Sequence, residues 1–300
     1  RAEGRRIAVM VDIKGPEIRT GDLAEPLALE KGDRVDFACA ASAKPRKGVP
    51  LVKVNYPGLI HDMKEGNTVL VDNGLLRFKV ERKTKSRLEC RVEIAGTLGN
   101  RRHINLPGTH VSLPCLTEKD HGDIDVGLET GVEFFAQSFV REPEDVEAFR
   151  RILAERDSQA RIIAKIEDQQ AITNLEDIVR AADGLMIARG DLGIECPYED
   201  LPVIQQRAVE TCIRLRKPAI VATHMLESMI GNPVPTRAEV SDVTHAVSQR
   251  TDAIMLSGET SIGGFPLDCV RVFQRIAETT ERLEEADSRP PLDLRNPKSK

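Results

Sequence analysis

The chain has 300 residues, room for one large domain or two ordinary ones, and its 40% hydrophobic and 30% charged residues make a soluble globular composition. A net charge of -5, no Trp and two Tyr argue against a nucleic-acid partner, since neither a basic face nor stacking platforms are available. No apolar run approaches the ~20 residues of a membrane helix, no signal peptide is expected, and the six Cys lack a CxxC pair, so free, mostly buried thiols in a reducing compartment are expected.

In chain order, residues 7–12 read as a buried strand ending in the acid Asp12. The chain opens at Arg1 without an initiator Met and runs almost at once into this strand, which reads as an internal fragment or a processed form. Residues 20–115 change character. They alternate with period two (69–71, then 75–80), carry turn signals at Asp72-Asn73-Gly74 and 96–100, and show no convincing amphipathic helix. A small all-β module inserted between two strands of a larger domain is expected there. From 116 onward strands and helices alternate: strand 134–139, helix 143–155, strand 162–166, helix 171–182, strand 185–189, helix 201–216, strand 218–222, helix 237–249, strand 253–257 and helix 266–284. Repeated βα units imply a parallel sheet with right-handed crossovers. The polar, Pro-rich tail 285–300 reads as linker or disorder. Six strands of βα type are two short of a closed (β/α)8 barrel, and an open six-stranded sheet is the rival arrangement.

Charge is placed where such sheets bind ligands, at the carboxyl ends of strands. Lys165 and Glu167 end one apolar run and Asp191 ends another, a cation and two carboxylates suited to Mg2+ and a phosphorylated anionic substrate. A salt-bridged pair at a sheet end is the plainer alternative. The segment Asp12-Ile13-Lys14-Gly15-Pro16-Glu17-Ile18-Arg19-Thr20-Gly21 is either a charged exit loop or a cation- and phosphate-binding loop with Arg19 as a bidentate clamp. In Ala188-Arg189-Gly190-Asp191-Leu192-Gly193, the glycines allow backbone N–H groups to approach an anion, or make an ordinary strand-to-helix turn. Thr223 and His224 follow a strand. A hydroxyl there can face substrate, whereas a lone His is more often solvated or packed. Pro235-Thr236-Arg237-Ala238-Glu239 has capping-box spacing, and Ser257-Gly258-Glu259-Thr260 ends another strand. Neither a dinucleotide-binding fingerprint nor a P-loop is present.

Taken together, residues 12–21, Asn105-Leu106-Pro107-Gly108, Lys165-Ile166-Glu167, residues 188–193, Met225-Leu226-Glu227-Ser228-Met229, residues 235–239 and Met255-Leu256-Ser257-Gly258-Glu259-Thr260 resemble pyruvate kinases, in the family's order across about residues 6 to 284. The resemblance implies a TIM (β/α)8 barrel, partial here. Residues 1–19 would be the third-strand region, 20–115 the inserted lid domain and 116–284 the remaining βα units. It implies a cytoplasmic glycolytic transferase making pyruvate and ATP from phosphoenolpyruvate and ADP with Mg2+ (or Mn2+) and K+, homotetrameric at full length, with no nucleic-acid or membrane partner. By resemblance, Lys165 neutralises the phosphoryl group in flight, Glu167 and Asp191 hold the divalent metal, and Gly190, Asp191 and Thr223 contact the substrate or its enolate. Asp12 and Ile13 would hold K+, Glu17 matches a position linked with K+ dependence, and Arg19 and Arg102 contact nucleotide phosphates. The chain departs from the pattern at Ile13 (usually Thr), Asn73 (Asp), Arg102 (Lys), His224 and Ser261-Ile262-Gly263 (Ala-Lys-Gly). A Mg-enolate lyase-type barrel and a truncated, non-catalytic paralogue are the alternatives; the lid arginines argue against the first and intact Lys165, Glu167 and Asp191 against the second.

Overall fold

The structure is a computed structural model and describes residues 7–39 and 43–286. It divides into two compact units, Arg1–Lys217 and Pro218–Lys300.

The first unit starts with β1 (Met10–Ile13) and then builds the β-rich segment. Its strands are β2 (Leu27–Leu29), β3 (Arg34–Ala38), β4 (Leu51–Lys53), β5 (Thr68–Val71), β6 (Leu76–Lys83), β7 (Leu88–Ile94), β8 (Gly96–Leu98) and β9 (Ile104–Asn105). β2 and β8 pair antiparallel, and the others form a sheet in the order β4-β3-β7-β6-β5-β9. Period-two burial drives this fold: Leu76, Phe78 and Val80 point inward along β6, and Phe78 meets Phe37 edge-on at 5.0 Å. The only helix within it among the described residues is the single turn α1 (Leu59–Asp62).

The same unit continues with α2 (Glu118–Glu129), β10 (Phe134–Gln137), α3 (Pro143–Glu155), β11 (Arg161–Ile166), α4 (Gln169–Thr173), α5 (Leu175–Ala181), β12 (Gly184–Ala188), α6 (Arg189–Glu195) and α7 (Leu201–Leu215). β1, β10, β11 and β12 pair in parallel, in that order. Helix α3 shows why the pattern folds this way: Pro143 opens it, Glu142 and Asp145 form a capping box, and Val146, Phe149 and Leu153 bury one face. α2 packs on β1. Gly127 makes room for it, since a Cβ there would lie 2.7 Å from Phe135.

The second unit contains β13 (Ala219–Ala222), α8 (Arg237–Ser248), β14 (Ala253–Met255), α9 (Gly258–Ser261) and α10 (Pro266–Ala286), with β13 and β14 parallel. All six expected βα-type strands are therefore present.

Some expectations change. Residues 7–12 are not a buried strand: Ile7, Val9 and Met10 are exposed, because β1 pairs with β10 alone among the described strands and only Ile13 is fully enclosed. The helix expected over 171–182 is two, broken at Asn174. α2 was hidden because it buries only Asp120, Ile124 and Gly127 and is started by a Thr117–Asp120 box, with Asp where Glu is usual. α6 was hidden by two glycines, poor helix formers. The expected linker is helical through Ala286; the rest of it lies outside the described residues. Among the described residues, no helix is long and apolar enough to cross a membrane.

Candidate active site

A charged cluster gathers at the carboxyl ends of β1, β10 and β11 in the first unit. Lys165, nearly buried on β11, directs its ammonium to three acceptors. They are the Asp12 carboxylate at 3.1 and 3.2 Å, Ser138 Oγ at 2.8 Å and Glu167 Oε1 at 3.0 Å. Residues two apart on an extended chain face the same way, which brings Lys165 and Glu167 together. Glu167 is 2% exposed, and its second oxygen accepts from the Phe139 N–H at 2.7 Å. Burial raises the Glu167 carboxyl to about 7, with the Asp191 charge pushing the same way against Lys165 and the Phe139 N–H. Burial alone would lower Lys165, but Glu167 and Asp12 outweigh it and raise its pKa, so the ammonium stays charged.

Asp12, at the end of β1, is 57% exposed on its side chain and accepts from Ser138 Oγ at 3.2 Å. Ile13 is fully enclosed, and its carbonyl accepts from the Ser138 N–H at 3.3 Å. The chain then turns at Gly15, whose φ of +69° requires glycine and whose N–H donates to Asp120 at 3.2 Å. Beyond the turn Glu17 accepts from Lys14 at 2.9 Å and from Arg19 at 2.6 Å, and its carboxyl is held low: burial opposes this, but the two cations prevail. Arg19 bridges His103, and Thr20 exchanges hydrogen bonds with Arg102, so both predicted phosphate-binding arginines sit on adjoining extended segments. Neither is idle: Arg19 also donates to the Arg101 carbonyl at 2.7 Å, and Arg102 lies 3.3 Å from Asp72.

Gly190 and Asp191 open α6 directly after β12, so their strand-end position is as expected. The donor set suits a hard divalent ion. Glu167 and Asp191 are two mutually repelling carboxylates, one of them buried, and a cation would relieve that conflict. Among the described residues no three His, Cys, Asp or Glu side chains form a metal cluster. Two carboxylates agree with Mg2+, which takes one or two from protein and the rest from substrate and water. Asp12 and Ile13 offer a carboxylate and a carbonyl, oxygen atoms of the kind K+ takes, although the Ile13 carbonyl also accepts from the Ser138 N–H.

In the second unit Thr223 follows β13 with φ +70° and His224 with φ +53°, two successive left-handed residues at a strand end. Such backbone costs about 1 kcal/mol or more per residue and persists only where surroundings hold it. The hold is visible: buried Glu259 accepts from Leu226 N at 3.0 Å and Ser257 N at 2.8 Å. Glu239 accepts from Ser228 N at 2.7 Å and its hydroxyl at 2.6 Å, as well as completing the Thr236 capping box. Thr223 Oγ1 donates to the Ala222 carbonyl at 2.7 Å.

Sequence reasoning missed Ser138, Phe139 and His103. Ser138 and Phe139 follow directly on β10, and the apolar spacing around them carries no charge to mark them. His103 stacks obliquely on Phe139 at 6.1 Å. Burial lowers its pKa, against the pull of Asp191 and Glu17.

The family model for the pyruvate kinase barrel domain matches residues 1–270. The chain is 43% identical to plastidial pyruvate kinase 2 of Arabidopsis thaliana over 95% of this chain and 49% of that protein. It is 41% identical to a pyruvate kinase of Borreliella burgdorferi over 94% of this chain and 58% of that one. A solved Cryptosporidium parvum pyruvate kinase superposes with a TM-score of 0.88 at 38% identity, covering 92% of this chain and 57% of that one. The chain thus spans about half the length of the curated relatives it matches. With these matches the α/β fold is of the TIM type, and the chain belongs to the pyruvate kinase family.

Proposed function

We propose that these residues carry the phosphoryl-transfer site of a pyruvate kinase, converting phosphoenolpyruvate and ADP to pyruvate and ATP at the last step of glycolysis. The observation that supports it is the nearly buried Lys165 ammonium, kept charged between Asp12, Ser138 and Glu167. Phosphoryl transfer depends mainly on positioning and on stabilising charge spread over the moving group, and a fixed, desolvated cation supplies both. Lys165 meets the phosphoryl group, Glu167 and Asp191 hold Mg2+ or Mn2+, and Gly190 and Thr223 contact substrate and enolate. When bound, the divalent ion polarises and neutralises phosphoryl oxygens, and K+ at Asp12 and Ile13 adds positive charge beside them. Arg19 and Arg102 take the nucleotide phosphates, each giving up a present carboxylate partner. Residues 20–115 act as a lid over a barrel made of 1–19 and 116–284, and its closure excludes water so that ADP is the acceptor. Homotetrameric assembly and a cytoplasmic location belong to the same reading of the whole protein.

The test is pyruvate formation from phosphoenolpyruvate and MgADP, with and without K+, beside Lys165→Met. Turnover that needs Mg2+ and falls about 10³-fold or more in Lys165→Met is the expected result, the range lost when a transition-state cation is removed. A folded chain that binds Mn2+ no better than Glu167→Ala and turns over nothing would refute the reading.

A further inference from the structure

An ammonium has three N–H donors, and in Lys165 all three are directed at protein acceptors: Asp12, Ser138 and Glu167. A phosphoryl oxygen can gain one only if an acceptor withdraws. Asp12 is the exposed one, at 57%, whereas Ser138 and Glu167 are 4% and 2% exposed. Asp12 is therefore the contact that substrate or solvent cations can replace, and the Ser138 contact persists. The hydroxyl is also oriented for this: its one proton points to Asp12 Oδ1 at 3.2 Å, leaving a lone pair for the ammonium at 2.8 Å. The next residue holds the other member of the pair. Phe139 takes φ +54°, a conformation rare for an L side chain, and its N–H donates to Glu167 Oε2 at 2.7 Å. Strained backbone that aims a donor at a buried carboxylate is a recurring device of active sites. Gly15 leaves the turn its room, since a Cβ there would lie 3.2 Å from the Ser138 carbonyl oxygen and 3.3 Å from the Phe139 ring.

We propose that Ser138 and Phe139 form a two-residue positioning clamp, with the Ser138 hydroxyl fixing the Lys165 ammonium and the Phe139 N–H fixing the Glu167 carboxylate. The clamp rests on the phosphoryl-transfer reading above for its purpose and on these contacts for its existence. It separates two functions by adjacent atoms: the hydroxyl serves the cation that meets substrate, and the amide serves the carboxylate that holds metal.

The experiment uses the whole chain with Ser138→Ala, Ser138→Thr and an ester in place of the Phe139 amide, introduced by nonsense suppression with the matching hydroxy acid. Three readings are taken: kcat and KM for phosphoenolpyruvate, Mn2+ affinity by electron paramagnetic resonance, and hydrogen exchange at Lys165 Nζ by nitrogen-15 NMR. Ser138→Ala is expected to lower kcat about tenfold, the worth of one charge-assisted hydrogen bond, with KM and Mn2+ affinity little changed and Lys165 exchange faster. Ser138→Thr, which keeps the hydroxyl, restores most of both kcat and slow exchange. The ester weakens Mn2+ several-fold and leaves Lys165 exchange alone. Unchanged kcat and Lys165 exchange in Ser138→Ala, or loss of Mn2+ affinity in Ser138→Ala equal to that in the ester, would overturn the clamp. A wild-type chain without turnover would count against the kinase reading alone, since the Lys165 exchange and Mn2+ readings still decide the clamp.

Discussion

Two regions of the molecule share one sequence signature, an acid just past an apolar strand, and use it in opposite ways. Past β11, Glu167 meets a charged side chain and one N–H, and burial keeps its carboxyl high. Past β14, Glu259 is wholly buried and accepts from two backbone N–H groups, Leu226 N in the turn after β13 and Ser257 N in its own loop. The first is a charge set against another charge, which a metal or substrate can rearrange. The second is committed to backbone and has no exchange left to make. What distinguishes them is the partner, side chain or main chain, which residue type and strand-end position do not reveal.

The sharpest way to break this comparison is Glu259→Ala. It leaves the buried Leu226 N and the half-buried Ser257 N without their acceptor, and a loss of about 2–4 kcal/mol is expected at about 1–3 kcal/mol per unsatisfied group. Urea unfolding measures it. A loss below about 1 kcal/mol would mean that Glu259 does not hold the turn that carries Thr223.

That contrast also marks how far the sequence could be read. The six βα-type strands and helices such as α3 were legible because period and caps agree along them. Lys165, Glu167 and Asp12 were legible as strand-end charges, and their convergence follows from the parallel pairing of β1, β10 and β11. Ser138 and Phe139 were not, because a hydroxyl among apolar residues and a backbone N–H leave no chemical mark in a sequence. The exposure of β1 was missed for another reason: an apolar run says what a strand can bury, and what covers it depends on neighbours.

A second prediction sharpens the Glu167 side of the comparison at a buried carboxyl whose main stabilising contact is a side-chain amide. Glu195 is 8% exposed, and burial raises it to about 7 although Asn105 donates to it. A carboxyl raised in the folded state binds more protons there than in the unfolded chain. Its contribution is therefore fullest below the unfolded pKa near 4.5 and is lost as pH rises towards 7. Stability is expected to fall by about 2–3 kcal/mol across that window, and Glu195→Gln to flatten the fall, in unfolding curves at pH 5, 6 and 7. An unchanged slope in Glu195→Gln would mean that the carboxyl is solvated in the folded chain.

The smallest effect is expected where a carboxylate has two cation contacts but stands in solvent. Glu176 lies beside Arg214 at 2.8 Å and also pairs with Arg180, and their hydrogen bonds pull its carboxyl down to about 2. By contact number alone this cluster would outrank Glu259. All three side chains are about half exposed, however, so water and salt compete for each charge, and the side chains lose freedom in meeting. Arg214→Ala should leave the unfolding midpoint unchanged within error at physiological salt. A midpoint shift matching that of Glu259→Ala would show that ion-pair number, and not burial against backbone donors, sets what a carboxylate contributes to this fold.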